Sequence, residues 1–128
     1  MRLFIALLLL VTFAVPASAE WVKVYGDSST HIEHFVDRDT IRRHDGRASA
    51  WVLQNMGERG ENGELSIRYL RENDCVKGRT RMLSLSTHSH RWAKGDTIVP
   101  NTRLPHPEWD YAVPNSVADL LLKSICND

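Results

Sequence analysis

The sequence predicts an α+β domain: an antiparallel sheet of about five or six strands with one C-terminal helix packed on it. Three observations carry that reading. From Trp21 onward the chain runs in short stretches that alternate apolar and polar residues, separated by Gly-, Asp- and Asn-containing turns. Near the end, Val117–Cys126 switches to the 3.6-residue period of a helix. The two cysteines, Cys75 and Cys126, fall in a mid-chain hairpin and in that last element, so a bond between them would staple helix to sheet.

The first residues set the compartment. Arg2 precedes an apolar run, Leu3 to Val15, followed by Pro16 and the small residues Ala17-Ser18-Ala19. This is the layout of a signal peptide, shorter than the ~20 residues a spanning helix needs. Cleavage after Ala19 leaves residues 20–128 as one soluble domain, periplasmic or secreted, with no inserted membrane segment. A lipid-anchored export signal would place a cysteine after the cut, where this chain has Glu20. Removing Arg2 from the 16 basic residues leaves 15 against 16 acidic. That balance gives no support to nucleic-acid binding, which relies on surplus Lys and Arg. In an oxidising compartment the two cysteines read as a disulfide, and with two only one pairing exists. Closing a loop of about 50 residues stabilises by roughly 4 kcal/mol in the chain-entropy picture. The alternative is a pair of free buried thiols.

Trp21-Val22-Lys23-Val24-Tyr25 alternates and is rich in β-branched and aromatic residues, a first strand ended by the turn Gly26-Asp27-Ser28-Ser29. His31 to Val36 is a second strand. From Asp37 to Arg43 the alternation is lost, and a single turn or 3₁₀ piece capped by Asp37 is expected. Asp45-Gly46 supplies a tight reversal. Ala48 to Met56 is apolar on both faces, which predicts a central strand. Gly57 to Gly63 is a surface loop, and Leu65–Cys75 and Arg79–Thr87 form a hairpin through Val76-Lys77-Gly78. Between residues 88 and 113, Pro100, Pro105 and Pro107 break the pattern. A long irregular connection is expected there, relieved by a short strand at Thr97-Ile98-Val99 and pinned by Trp109. Ser116 with Asp119 three residues on matches a capping box, and Val117, Leu121 and Ile125 give the following helix its apolar face.

An ordered set of residues across the mature chain carries a resemblance. It comprises Trp21, Asp37-x-x-Thr40-Ile41-Arg42, Trp51, and Ser66 through Asp74-Cys75-x-x-x-Arg79-x-Arg81, then Gly95, Trp109, Pro114-x-Ser116 and Cys126. Together these resemble the surface-adhesin protein E-like family of small exported bacterial domains. The resemblance implies an antiparallel sheet, a C-terminal helix, a strand-to-helix disulfide, and a binding module for host matrix protein or glycan rather than an enzyme. A periplasmic structural or inhibitor-type protein acting on a bacterial partner is the alternative.

For chemistry, His31 with His34, on opposite faces of a strand, and His88 with His90, on one face but lacking an evident third ligand, read as surface or strand-end histidines in preference to metal pairs. No Gly-x-Ser-x-Gly elbow occurs, and the carboxylate pairs Asp37/Asp39, Glu72/Asp74 and Glu108/Asp110 read as turn caps or strand surface. A metal-assisted hydrolase is therefore the least supported class, and neither metal nor cofactor is expected. The candidate ligand-binding residues are Arg68, Arg79 and Arg81 on neighbouring strands, with Trp92 and Trp109. Guanidinium groups grip carboxylates and sulfates through two parallel N–H bonds, and indoles anchor partners. Competing readings are intrachain pairing of the arginines with Glu72, Asp74, Asp37 and Asp39, and burial of the tryptophans.

Overall fold

A computed structural model describes residues 19–127; the expected signal peptide, save Ala19, lies outside the described residues. Six strands follow one another across the sheet, each antiparallel to the last: β1 (Trp21–Gly26), β2 (Glu33–His44), β3 (Arg47–Asn55), β4 (Ser66–Asp74), β5 (Arg79–His88) and β6 (Thr97–Arg103). A two-residue strand, β7 (Asp110–Tyr111), pairs with Arg79 and Thr80 at the start of β5, and the helix α1 (Val117–Cys126) ends the chain. The predicted class holds, with β3 inside the sheet as its two apolar faces required.

Local chemistry accounts for the hairpins. Asp45 and Gly46 take φ of +48° and +75° between the paired residues His44 and Arg47, the two-residue reversal whose twist matches the strands. At the β4–β5 turn the Asp74 carboxylate accepts the N–H groups of Val76 and Lys77 at 3.2 and 3.0 Å, and Gly78 takes φ +69°.

Two expectations need correction. The segment Asp37–Arg43 is no separate turn but a broad bulge within β2: Asp37 pairs with Trp51 and Arg42 with Ser49, so residues 38–41 stand opposite Ala50. Thr40 mends the broken ladder, donating to the Asp37 carbonyl at 2.6 Å and accepting the Trp51 N–H at 3.0 Å. Its hydroxyl takes the place of a backbone carbonyl, which is why alternation fades while pairing continues. The irregular 88–113 connection contains more strand than expected, since β6 runs from Thr97 through Pro100 to Arg103. It pairs with β5 alone, and an edge strand can spare the donor that proline lacks.

Helix α1 covers one face of the sheet. Leu121 and Ile125, 2% and 0% exposed, join Val36, Ala48, Ala50, Val52 and Tyr69 in the core. Burying each of those two side chains is worth roughly 1.5–3 kcal/mol. Ser116 accepts the Asp119 N–H at 3.2 Å as the capping box predicts, but the reciprocal bond shifts by one residue, from the Asn115 N–H to Asp119 Oδ2 at 3.0 Å. At the other end Arg38 and Arg43 donate to the carbonyls of Ser124 and Ile125 at 3.2 and 2.8 Å, placing positive charge where the helix dipole is negative. Arg71, buried beneath the helix, donates to the Ala118 carbonyl at 2.6 Å and to Asn73 at 2.8 Å. Cys75 and Cys126 are joined, their Cα atoms 5.8 Å apart. Among the described residues no helix is long and apolar enough to cross a membrane.

Candidate functional site

The face of the sheet opposite α1 carries the polar and aromatic side chains that the core does not use. Register fixes which ones meet. Arg68 lies opposite Leu53 on β3 and Ser86 on β5, and Trp51 lies opposite Leu70. Arg68 and Trp51 are thus diagonal neighbours, within reach for long side chains. The Arg68 guanidinium lies over the Trp51 ring, 3.7 Å from its centroid. Burial pulls its pKa down and the through-space field of Asp37 pushes it back up. Among the described residues Arg68 has this stacking contact but no hydrogen bond and no ion pair.

Arg68 lines a cleft of about 840 Å³, open to solvent, whose other walls include Trp21, Trp92, Lys94, His88 and Asn101. His88 is 9% exposed and its Nε2 sits 2.9 Å from Ser86 Oγ; burial, then the nearby Arg68 charge, lowers its pKa and favours the neutral ring.

The loop after β5 places Trp92. Trp92 and Ala93 both take left-handed φ, +67° and +56°, which costs non-glycine residues about 1–2 kcal/mol each. Buried side chains hold them there: Asn55 Oδ1 accepts the Trp92 N–H at 2.9 Å, and Ser66 Oγ accepts the Ala93 N–H at 3.0 Å while donating to the His90 carbonyl at 2.6 Å. Gly95 closes the loop at φ +76°, where a Cβ would run into Ser89 and the His90 ring. The Trp92 ring packs on Phe35 with centroids 4.6 Å apart, yet 42% of the residue stays exposed. It is both lid of a small apolar patch and wall of the cleft.

At the opposite end of the same face, Trp109 lies among three guanidinium groups: Arg81, Arg79 and Arg47 are 4.2, 4.6 and 5.2 Å from its ring centroid. These arginines also have acidic partners. Arg79 meets Asp74 at 3.0 Å, Arg81 meets Glu72 at 2.6 Å, and Arg47 approaches Glu72 at 4.0 Å. The five residues singled out from sequence thus divide into two places, Arg68 and Trp92 in the cleft, Arg79, Arg81 and Trp109 in the ion-paired cluster. Sequence reasoning passed over Trp51, Trp21, Lys94 and the supporting Asn55. The signal for Trp51 was its parity with Leu53 on the face away from the helix, but the diagonal to Arg68 depends on register.

His88 faces the cleft wall, whereas His90 lies beyond the strand, 3.2 Å from Ser89 Oγ through its Nδ1. Among the described residues no three His, Cys, Asp or Glu side chains gather as a metal-holding group.

Comparison with known proteins agrees with this architecture. The sequence profile of the family described as surface-adhesin protein E matches residues 21–127. The selenomethionine form of protein E from Haemophilus influenzae superposes with a TM-score of 0.65 at 12% identity, over 88% of this chain and 89% of that one. A second crystal form gives 0.61 at 12% identity over 73% and 80%, and protein E from non-typeable Haemophilus influenzae gives 0.57 at 11% over 90% and 82%. At such identities the likeness is one of fold. Among curated protein sequences none matches significantly. With the profile running from the first strand to the end of the last helix, the chain belongs to the surface-adhesin protein E family.

Proposed function

We propose that the protein is an exported, adhesin-like binding module of the bacterial envelope, not an enzyme, and that its ligand enters the cleft between Arg68 and Trp92. Family membership supports the general role. The observation that carries the site is the contrast among the arginines. Arg79 and Arg81 are paired with carboxylates, whereas Arg68 is held rigid on an indole in an open cleft with its hydrogen-bonding capacity uncommitted among the described residues. A preoriented guanidinium meets a ligand anion with little ordering cost. Trp92, held in left-handed backbone by two buried side chains, fits the pattern of strain located at binding sites.

The test is a pull-down from host-matrix and cell-envelope extracts with the exported protein, run beside Arg68→Ala and Arg81→Ala. A partner retained by the native protein and by Arg81→Ala but lost with Arg68→Ala supports the site; equal capture by all three removes it.

The second reading is a periplasmic structural or inhibitor-type protein acting on a bacterial partner. Protease treatment of intact cells separates the two: cleavage of the protein supports surface display, and full protection until the outer membrane is opened supports the periplasmic role.

A further inference from the structure

We infer that the Arg68 cleft takes an acidic saccharide, a pyranose bearing a carboxylate or sulfate; this rests on the binding role assigned to the cleft above. Three features select that chemistry. The first is charge. Arg68 and Lys94 both line the cleft, and the Asp37 carboxylate acts on Arg68 through space without a hydrogen bond. Asp37 itself is 8% exposed and accepts the Asp39 N–H at 3.2 Å. The guanidinium fork therefore suits a two-oxygen anion brought from outside.

The second is the pair of indoles. Trp21 and Trp92 both line the cleft, and Trp92 leaves 42% of its surface open. An indole offers a broad apolar face with electron density above the ring, against which the polarised C–H face of a sugar packs. Asn101 and Thr97 supply short polar groups at the same rim for ring hydroxyls.

The third concerns the floor of the cleft. It is the face of the sheet, where strands β4 and β5 spend their backbone N–H and C=O groups on their neighbours. A peptide strand laid on that floor finds no ladder to join, and its amides would be desolvated without partners; the edge strands β1 and β6 border the cleft, and the peptide titrant below tests pairing there. A saccharide has no backbone amides to satisfy. The volume, about 840 Å³, accommodates more than one ring.

The experiment follows the indole N–H signals of the exported protein by NMR during titration. The chain has four tryptophans. Trp21 and Trp92 line the cleft, Trp51 lies under Arg68, and Trp109 lies in the distant cluster as an internal control. The titrants are a hyaluronan tetrasaccharide (carboxylate), a heparin tetrasaccharide (sulfate and carboxylate), neutral cellotetraose and hexaglutamate. The inference expects saturable shifts of Trp21 and Trp92 with one or both acidic saccharides, Trp109 unmoved, and cellotetraose at least tenfold weaker. Response to both saccharides names either anion, and response to heparin alone names sulfate. Arg68→Ala should weaken binding about tenfold or more, as loss of a charge-assisted pair does, and Arg68→Lys should restore it in part. Arg81→Ala should leave it within about twofold. Matching unfolding midpoints for the variants show that they are folded, and Trp92→Phe offers a milder second probe of the wall. Equal binding of cellotetraose, or indifference to Arg68→Ala, overturns the inference. Hexaglutamate shifting the cleft signals while no saccharide does overturns it and leaves the binding role standing; silence from every titrant also overturns it, and the binding role then stands or falls with the pull-down above.

Discussion

The backbone N–H of Trp92 donates to Asn55 Oδ1 at 2.9 Å, and through this bond a fully buried side chain of β3 sets the position of a tryptophan that lines the cleft and is two-fifths exposed as a residue. Asn55→Ala leaves that N–H without its acceptor, at about 1–3 kcal/mol. The loss is partly offset because Asn55 Nδ2 is itself buried with no partner among the described residues. We expect a net destabilisation of about 1–2 kcal/mol in urea unfolding, with faster amide exchange concentrated in residues 89–96. Unchanged exchange in that loop would mean that the packing of Trp92 on Phe35 alone holds it.

The Cys75–Cys126 bond closes a loop across a sequence separation of 51, for which the chain-entropy relation gives about 4 kcal/mol. Cys126→Ser should cost about 2–4 kcal/mol in urea unfolding, since α1 retains its core contacts and the arginines at its C-terminus. Exchange in Val117–Ile125 should rise before that in β3 and β4. A loss spread evenly over sheet and helix would show that the bond stabilises the unit as a whole rather than docking the helix.

Acid sensitivity should arrive in two stages. His34 is partly buried, its Nδ1 without a hydrogen-bond partner among the described residues, and burial followed by the Arg71 charge lowers its pKa from 6.5. A histidine whose folded pKa lies below its unfolded value opposes protonation in the native state. Its contribution is complete above about pH 6.5 and is lost as the pH falls below that value. The slope cannot exceed about 1.4 kcal/mol per pH unit for one such group, and is less here because the ring is partly open to solvent. Asp74, held low mainly by the Lys77 N–H, and Asp119, held low mainly by the Asn115 N–H, act only further down. Their depressed values favour folding above about 3.8, and that advantage disappears as the pH drops through their folded pKa. His34→Gln should flatten stability between pH 7 and about pH 5 and leave the lower limb intact; an unchanged upper limb would point instead to His88, which is lowered by burial and Arg68.

The sequence disclosed the scaffold more fully than the site because the two are written in different codes. Alternation, the Asp45-Gly46 turn, the Ser116 cap and the helical apolar stripe are local patterns, and each appears in the structure within a residue or two. The β2 bulge escaped because lost alternation between Asp37 and Arg43 reads the same for a turn as for a bulge, and the Thr40 hydroxyl that carries the ladder across it is a side-chain contact no periodicity records. The expected strand at Thr97-Ile98-Val99 is the first part of β6; its continuation from Pro100 to Arg103 escaped because proline is tolerated at an edge, and edges are assigned by topology. The cleft depends on register and on a loop folding back: Arg68 meets Trp51 on the diagonal, and Trp92 meets Asn55 across 37 positions. Residue types alone marked Arg68 and Trp92 as candidates together with Arg79, Arg81 and Trp109; the ion pairs of Arg79 and Arg81 distinguish them.

That distinction predicts a scaffold role for Trp109. Its ring lies within 5.2 Å of three guanidinium carbons, directly before β7 at the edge of β5. The Glu72 and Asp74 carboxylates pair with Arg81 and Arg79, so two of the three guanidinium charges around the ring are compensated without any ligand and one is left over. Each cation–π contact at a half-open site is worth about 0.5–1 kcal/mol, and one ring cannot satisfy three cations fully. Trp109→Ala should therefore cost about 1–2 kcal/mol, more than Arg47→Ala, whose guanidinium is the farthest from the ring and 4.0 Å from Glu72. The comparison is made by urea unfolding of each variant, with amide exchange of Asp110 and Tyr111 reporting release of β7. Binding at the Arg68 cleft should be unaltered in both variants. If Trp109→Ala instead leaves stability intact and abolishes capture of a partner, the cluster is the binding surface and the acidic residues beside it are placeholders that the partner displaces.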